Sequence, residues 1–265
     1  MKVWQLLIDE VPLSGTLNMA VDDYLFYSLR DTPHSCLRFY QWKKPTVSLG
    51  YSQNINKVVD MNFCQKNGID IVRRITGGKL VLHHREVTYS LCSSDSEAFT
   101  ATLSESYRLI SRALMRGLEK MGLEPYLACT SPSFYTRGNL PCFSYPARDE
   151  VEVEGKKIVG SAQKRAGTRF IQHGSIPLEG DEGLLESVSF LEKGRSKERM
   201  TSLSEALGKK VPFEWAVECL TNGFSEFFGV RFKKKVFSER EMEEITKIQK
   251  ECYENRLWTL FRKES

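Results

Sequence analysis

The chain has 265 residues, 41% of them hydrophobic and 27% charged, enough to bury a substantial core in one large domain or two small ones. Its 38 Lys and Arg against 34 Asp and Glu leave a net charge of only +4, too mild to make nucleic acid the main partner and compatible with a moderately acidic protein. Acidic residues stand at Asp9 and Glu10, where a secretory apolar stretch would continue, and no run of about 18 apolar residues occurs, so a cytoplasmic protein without a membrane partner is expected.

Trp4 to Ile8 reads as a first strand. Leu17 to about Arg30, introduced by Gly15, has apolar positions at helical spacing. Cys36 to Trp42 and Thr46 to Gly50 read as two strands joined at Lys43-Lys44-Pro45, which suggests a hairpin. A short helix near Val58 to Lys66 follows. Ile69 to Arg73 then climbs into Arg73-Arg74-Ile75-Thr76-Gly77-Gly78-Lys79-Leu80-Val81-Leu82-His83-His84, a strand, a tight glycine turn and another strand. Adjacent glycines let a backbone pass close to something bulky, with Arg73 or Arg74 near enough to meet a negative charge or a carbonyl. On spacing alone the same stretch is equally an ordinary hairpin turn.

Glu86 to Leu91 is the next strand. The clearest helix runs between Thr102 and Met121, with Leu103, Tyr107, Ile110, Leu114 and Leu118 on one face, a Thr102 to Glu105 capping box before it and Gly122 closing it. A loop rich in Ser, Pro, Gly and Asn precedes Pro141-Cys142-Phe143. Glu150 to Glu154 is then a charged alternating strand, Gly155-Lys156 a turn, Ile158 to Gly160 a returning strand, and Arg169 to Leu178 one more. From Gly180 the pattern changes to helix and loop, with a charged connection at Lys193 to Arg199, a helix from Pro212 to Phe227, and a last helix capped by Ser238 and Glu241. No repeat, low-complexity tract or long linker divides the chain, so one domain over 1–265 is expected, with an α+β fold of mixed, hairpin-rich sheet and helices.

Seven cysteines, at 36, 64, 92, 129, 142, 219 and 252, include no Cys-x-x-Cys pair and no His at zinc-ligand spacing. A disulfide scaffold or zinc site is therefore not expected. Cys142 differs from the rest because its neighbours read as loop. A thiol becomes a nucleophile when a nearby cation favours the thiolate, and Lys157 lies on the hairpin that follows. Lys156 and Lys157 cannot share a strand face, so one can point inward while the other is solvated. Gly160-Ser161-Ala162-Gln163 places small residues where a backbone must approach a ligand, with a side-chain amide able to fix a carbonyl; small residues in a strand are otherwise a packing device. His173-Gly174-Ser175 can form a polar end to an apolar cavity or a satisfied structural cluster. His83 and His84 invite a metal or general-base reading, but adjacent residues face opposite sides of a sheet and no carboxylate pair accompanies them in the sequence, so no metal is expected.

Three separated segments match one family together. Arg73-Arg74-x-Thr76-Gly77-Gly78, Gly155-Lys156-Lys157-Ile158-x-Gly160-Ser161-Ala162-Gln163 and His173-Gly174-Ser175-Ile176 resemble the biotin/lipoate A/B protein ligase family in order and spacing. Asn18-Met19-Ala20-x-Asp22 and Pro45 to Gly50 match its N-terminal motifs, and Tyr253 to Phe261 looks like the end of its catalytic domain. The resemblance implies a mixed, largely antiparallel central sheet flanked by helices, with no separate accessory C-terminal domain. It implies an acyl pocket shaped by Arg74, Thr76, Gly77, Gly78 and His83, with Val81 lining the chain tunnel and Lys79 as a cation where the family has a third Gly or an Arg. His84 stands where the family commonly has Asp.

Cys142-Phe143-x-x-Pro146, fifteen residues before Lys157, is similar to the nucleophile motif of the LipM-type octanoyltransferases. That similarity implies transfer of octanoate from octanoyl-acyl carrier protein, through a Cys142 thioester, to a lysine of a lipoyl domain such as glycine cleavage H protein. Lys157 would favour the thiolate and meet the acyl carbonyl, and no cofactor would be required. Two other classes stay open at this point. One is a lipoate ligase using ATP and magnesium, with Lys157 on the acyl-adenylate and Cys142 incidental. The other is a carrier-binding module without turnover.

Overall fold

The computed structural model describes residues 1–29, 34–99, 102–128, 149–190 and 199–262. Strand β1 (Lys2–Ile8) leads into helix α1 (Gly15–Ser28), whose N-terminus is capped by the Ser14 hydroxyl accepting from Leu17 N–H. Then come β2 (Ser35–Tyr40), β3 (Thr46–Leu49), the short helices α2 (Ile55–Val58) and α3 (Met61–Lys66), and β4 (Asp70–Arg73), β5 (Val81–His83) and β6 (Glu86–Ser93). The one helix expected near Val58 to Lys66 is two, because Asp60 caps a new start at Met61 through its side chain.

Helix α4 (Leu103–Lys120) precedes β7 (Tyr126–Leu127), β8 (Val151–Val153), β9 (Lys156–Lys157), β10 (Gly160–Ala166) and β11 (Arg169–Pro177). Helices α5 (Glu182–Val188), α6 (Leu203–Leu207) and α7 (Phe213–Phe228), strand β12 (Val230–Lys234), helix α8 (Glu239–Ile248), a π-turn (Gln249–Tyr253) and α9 (Arg256–Phe261) complete it. Among the described residues no helix is long and apolar enough to cross a membrane. The Lys193 to Arg199 connection lies almost wholly outside the described residues.

Six strands form the main sheet in the order β10-β11-β6-β2-β1-β12. The β10/β11, β11/β6 and β6/β2 pairs are antiparallel, while β2/β1 and β1/β12 are parallel, so the sheet is mixed and largely antiparallel as expected. A second sheet has the order β4-β3-β5, and a third has β7-β8-β9. Two hairpins expected from the sequence are absent from this arrangement. β2 belongs to the main sheet and β3 to the second, so Lys43-Lys44-Pro45 carries the chain between sheets. β4 and β5 do not pair with each other; β3 lies between them, parallel to β4 and antiparallel to β5. The glycine turn therefore crosses the end of β3. Gly50, just past that strand, passes so close to Gly78 that a Cβ on it would lie 2.0 Å from the Gly78 carbonyl oxygen.

Helices α4 and α7 cover one face of the main sheet. They meet at Gly117 and Gly223, where a Cβ on Gly223 would lie 2.3 Å from the Gly117 nitrogen. Ile110, Ala113, Leu114 and Leu118 of α4 and Leu220 and Phe224 of α7 are buried there with Trp4, Tyr89 and Phe170. Leu103, expected on the same face, is exposed because it occupies the first helical turn. Helix α1 lies on the opposite face and packs against α8 and the π-turn. That second face carries the polar residues of the site.

Candidate active site

Side chains alternate along a strand, so cross-strand partners share a face. The registers Ala162↔His173↔Ser90 and Gly160↔Ser175↔Thr88 set these residues of β10, β11 and β6 in two rows under α1. The second sheet approaches the rows from above with Ser48, Val81 and His83, and α1 contributes Met19. The space between them, about 340 Å³ including the part open to solvent, is a narrow cleft. Tyr40, Trp42 and Arg74 complete the wall. Nine residues expected at the site line this cavity: Arg74, Val81, His83, Gly160, Ser161, Ala162, His173, Gly174 and Ser175.

Arg74 joins two chains of hydrogen bonds. Its Nε donates to Thr76 Oγ1 at 3.1 Å, and its Nη1 donates to Ser48 Oγ at 3.0 Å. Thr76 Oγ1 is 2.6 Å from His173 Nε2, and His173 Nδ1 is 3.0 Å from Asp22 Oδ2. Ser48 Oγ is 2.7 Å from His83 Nε2, and His83 Nδ1 is 2.7 Å from Glu86 Oε1. Each chain thus runs carboxylate, imidazole, hydroxyl, guanidinium. Because a carboxylate only accepts, the neutral imidazole places its Nδ1–H on the carboxylate and leaves Nε2 to accept from the hydroxyl. Arg74 Nη2 also donates to the carbonyls of Gly77 at 2.9 Å and Lys79 at 2.7 Å, which wraps the glycine loop around the guanidinium. Gly78 is at φ +89°, and a Cβ on it would lie 2.9 Å from Arg74 Nη2 and 3.5 Å from Ala162 Cβ.

Both carboxylates are buried and heavily bonded. Asp22 accepts from Arg38 Nη1, Ser90 Oγ, Tyr40 Oη and His173. Burial alone would raise its pKa; the His173 hydrogen bond and the Arg38 charge outweigh that and hold it below the ordinary 3.8. Burial pushes His173 below its ordinary 6.5, with the Arg74 charge acting in the same direction against Asp22, so the ring is neutral at pH 7. Glu86 accepts from His83, Ser175 Oγ and Thr88 Oγ1, and Trp42 Nε1 donates to Thr88 at 2.7 Å while its ring stacks on His83 with centroids 4.0 Å apart. These polar atoms face one another. The cavity is offered rings, methyls and methylenes from Met19, Tyr40, Trp42, Val81 and Ala162, a surface suited to an apolar chain.

The description of the lipoyl protein ligase A/B catalytic domain matches residues 14–225. Octanoyltransferase LipM of Carboxydothermus hydrogenoformans is 35% identical over 272 residues, covering 99% of this chain and 100% of that relative. The chain belongs to the lipoyl protein ligase A/B catalytic domain family. Octanoyltransferase LipM of Kyrpidia tusciae is 38% identical over 258 residues, covering 92% of this chain and 93% of that protein. Among solved structures, lipoate-protein ligase A bound with ATP superposes with a TM-score of 0.84 at 23% identity, covering 98% of this chain and 99% of that one. The bipartite lipoate protein ligase of Thermoplasma acidophilum gives 0.83 at 22% identity, covering 100% and 99%. At those identities the two structures establish the shared fold.

Within this family member, Lys157 is fully buried and its ammonium lies 2.7 Å from Glu150 Oε2, while Lys156 is half-buried. Cys142 and the whole Pro141 to Pro146 stretch lie outside the described residues. Gln163 is not among the residues that line the cavity. It shares a strand face with Ser161, one position out of phase with Ala162, and its Nε2 donates to Ser106 Oγ of α4 at 3.1 Å. Ser161 likewise turns its hydroxyl to Tyr89, 2.7 Å away, and borders the cavity from behind. Gly174 lies beneath Tyr89 and Ser161.

Asp22 and Glu86 are the carboxylates of the cavity wall that sequence reasoning undervalued. Asp22 had a family-motif signal, and Glu86 had none beyond its place at the start of a strand. The two histidines each have a carboxylate after all. His83 pairs inward with Glu86, and His84 pairs outward with Asp181 at 2.8 Å. Among the described residues no group of three or more His, Cys, Asp or Glu could hold a metal ion.

Proposed function

We propose that this chain is an octanoyltransferase of protein lipoylation. It moves an octanoyl group from acyl carrier protein to a lysine of a lipoyl domain, such as glycine cleavage H protein, through a thioester on Cys142. The observation that carries this reading is the near-full-length similarity to proteins named Octanoyltransferase LipM. The cavity agrees with it, since its apolar lining suits an eight-carbon chain and the polar wall atoms are engaged with one another.

In the first half-reaction the Cys142 thiolate attacks the donor thioester carbonyl. The tetrahedral intermediate collapses with cleavage of the carrier's C–S bond, and the carrier leaves as a thiolate that takes up a proton. In the second, the neutral amine of the acceptor lysine attacks the enzyme thioester, an amide bond forms, and the Cys142 thiolate leaves while the nitrogen loses its proton to solvent. Negative charge builds on the acyl oxygen twice. Lys157 is the cation for that oxygen and for the thiolate, and a fixed charge in a dry site is worth far more there than in water. Both steps start from a thioester, so the acyl group arrives activated.

The test is transfer without nucleotide. Octanoyl-acyl carrier protein and a lipoyl domain, incubated with the enzyme and no ATP, are expected to give the octanoyl-lysine product. Modification that requires free octanoate, ATP and magnesium, with pyrophosphate released, would establish a ligase instead, and carrier binding without either reaction would establish a non-catalytic module.

A further inference from the structure

We propose that Glu150 is a positioning residue for the transfer reaction, one that keeps the Lys157 ammonium aimed at the acyl oxygen. The inference rests on the reading of Lys157 given above. Lys157 has no exposed surface and Glu150 only 2%, and the two charged groups are 2.7 Å apart. A lysine carries its charge on a flexible four-carbon stem, and a buried ammonium without a counter-charge swings toward water.

The local fold holds the two groups in register. Glu152 of β8 lies directly opposite Lys157 of β9, so Glu150, two positions before Glu152, emerges on the same face. Val151, Val153 and Ile158 occupy the other face and are buried in the main hydrophobic cluster, which prevents the hairpin from slipping. The turn between the strands has Glu154 and Gly155 at φ +51° and +77°, the left-handed pair that a two-residue hairpin requires. Three main-chain bonds tie down the ends: Ala128 N–H to Glu150 O at 2.8 Å, Ile158 N–H to Val151 O at 3.1 Å, and Thr201 N–H to Lys157 O at 3.0 Å. Glu150 therefore sits on a braced element, as a group that aims another must.

The hairpin runs directly into β10, whose first residue, Gly160, lines the cavity. Tyr89 is raised to about 12, chiefly by burial, and the Glu150 charge adds to the shift; the Tyr89 hydroxyl in turn touches Ser161 of the cavity rim. Lys157 itself is three residues ahead of Gly160, which lines the cavity.

A double-mutant cycle on the full chain tests the assignment, with steady-state transfer from octanoyl-acyl carrier protein as the readout and circular dichroism confirming that each variant is folded. Glu150→Gln is expected to lower kcat at least tenfold with the donor KM changed less than about twofold, and Glu150→Asp to restore most of the loss. In a Lys157→Met background, Glu150→Gln is expected to change kcat less than twofold, because nothing is left to aim. The paired Met substitutions at both positions keep the test usable if a lone buried charge prevents folding. Full activity of Glu150→Gln, or the same fold-loss with and without Lys157, would overturn the role of Glu150. Full activity of Lys157→Met would instead overturn the reading of Lys157 beneath it.

Discussion

The cavity wall and the Lys157 hairpin both keep charged groups out of water, and they do it in different ways. On the wall, Arg74 donates five hydrogen bonds to four neighbouring residues, and each carboxylate takes up three or four donors from different strands. At the hairpin, an ammonium on a two-residue strand faces a carboxylate from the adjoining strand. A network with many partners gives a fixed shape, because no member can move alone. The hairpin holds its ammonium 2.7 Å from a carboxylate, with both side chains buried. On the proposed reading, the wall selects the acyl chain and the hairpin sets the rate of its transfer.

The largest expected effect falls on the hairpin. Lys157→Met should lower kcat by roughly 10²- to 10³-fold, the scale for losing one oxyanion donor, with the donor KM nearly unchanged; steady-state kinetics would reveal the opposite pattern if Lys157 served only to bind. The wall should respond in the other parameter. Glu86→Ala strips the acceptor from His83, Ser175 and Thr88, costs about 1–3 kcal/mol in denaturant unfolding for the groups left unsatisfied, and should raise KM more than it lowers kcat.

A smaller effect separates the two faces of β10. Gln163→Ala should cost about 1 kcal/mol of stability through its lost bond to Ser106 while leaving the donor KM unchanged. A raised KM would return Gln163 to the cavity. The smallest effect is on pH. Folding lowers the pKa of His173 below its ordinary 6.5 and of Asp22 below 3.8, so the unfolded chain binds more protons than the folded one as pH falls. The His173 contribution should be lost from about pH 6.5 downward and the Asp22 contribution from about pH 4 downward. Thermal midpoints across pH 7 to 5 should decline, and His173→Gln should flatten that decline.

Much of this arrangement was legible in the sequence wherever the signal was local. Capping hydroxyls and apolar periodicity located α1, α4, α7 and α8, and the period-two rule separated His83 from His84 and Lys156 from Lys157. Applied one residue further, the same rule would have separated Gln163 from Ala162. Pairing between distant strands was not legible. Arg73 to His84 has the spacing of a hairpin, yet β3 lies between its two strands, since hydrogen-bond partners are chosen by tertiary packing and not by the length of the turn. β12 was missed because Val230 to Lys234 alternates around charged residues and acquires its strand partner, β1, from the other end of the chain. The wall chains were hidden for the same reason: Asp22 and His173 are 151 residues apart. Family resemblance marked His173 and Arg74 as site residues, but only the fold joins them through Thr76.

The central claim, a covalent octanoyl-enzyme on Cys142, is tested most directly by peptide mass spectrometry after incubation with octanoyl-acyl carrier protein alone. The account predicts an octanoyl adduct on the peptide containing Cys142, absent from Cys142→Ser and discharged when a lipoyl domain is added. Normal transfer to the lipoyl domain by Cys142→Ser, or an adduct that the acceptor does not discharge, would contradict it.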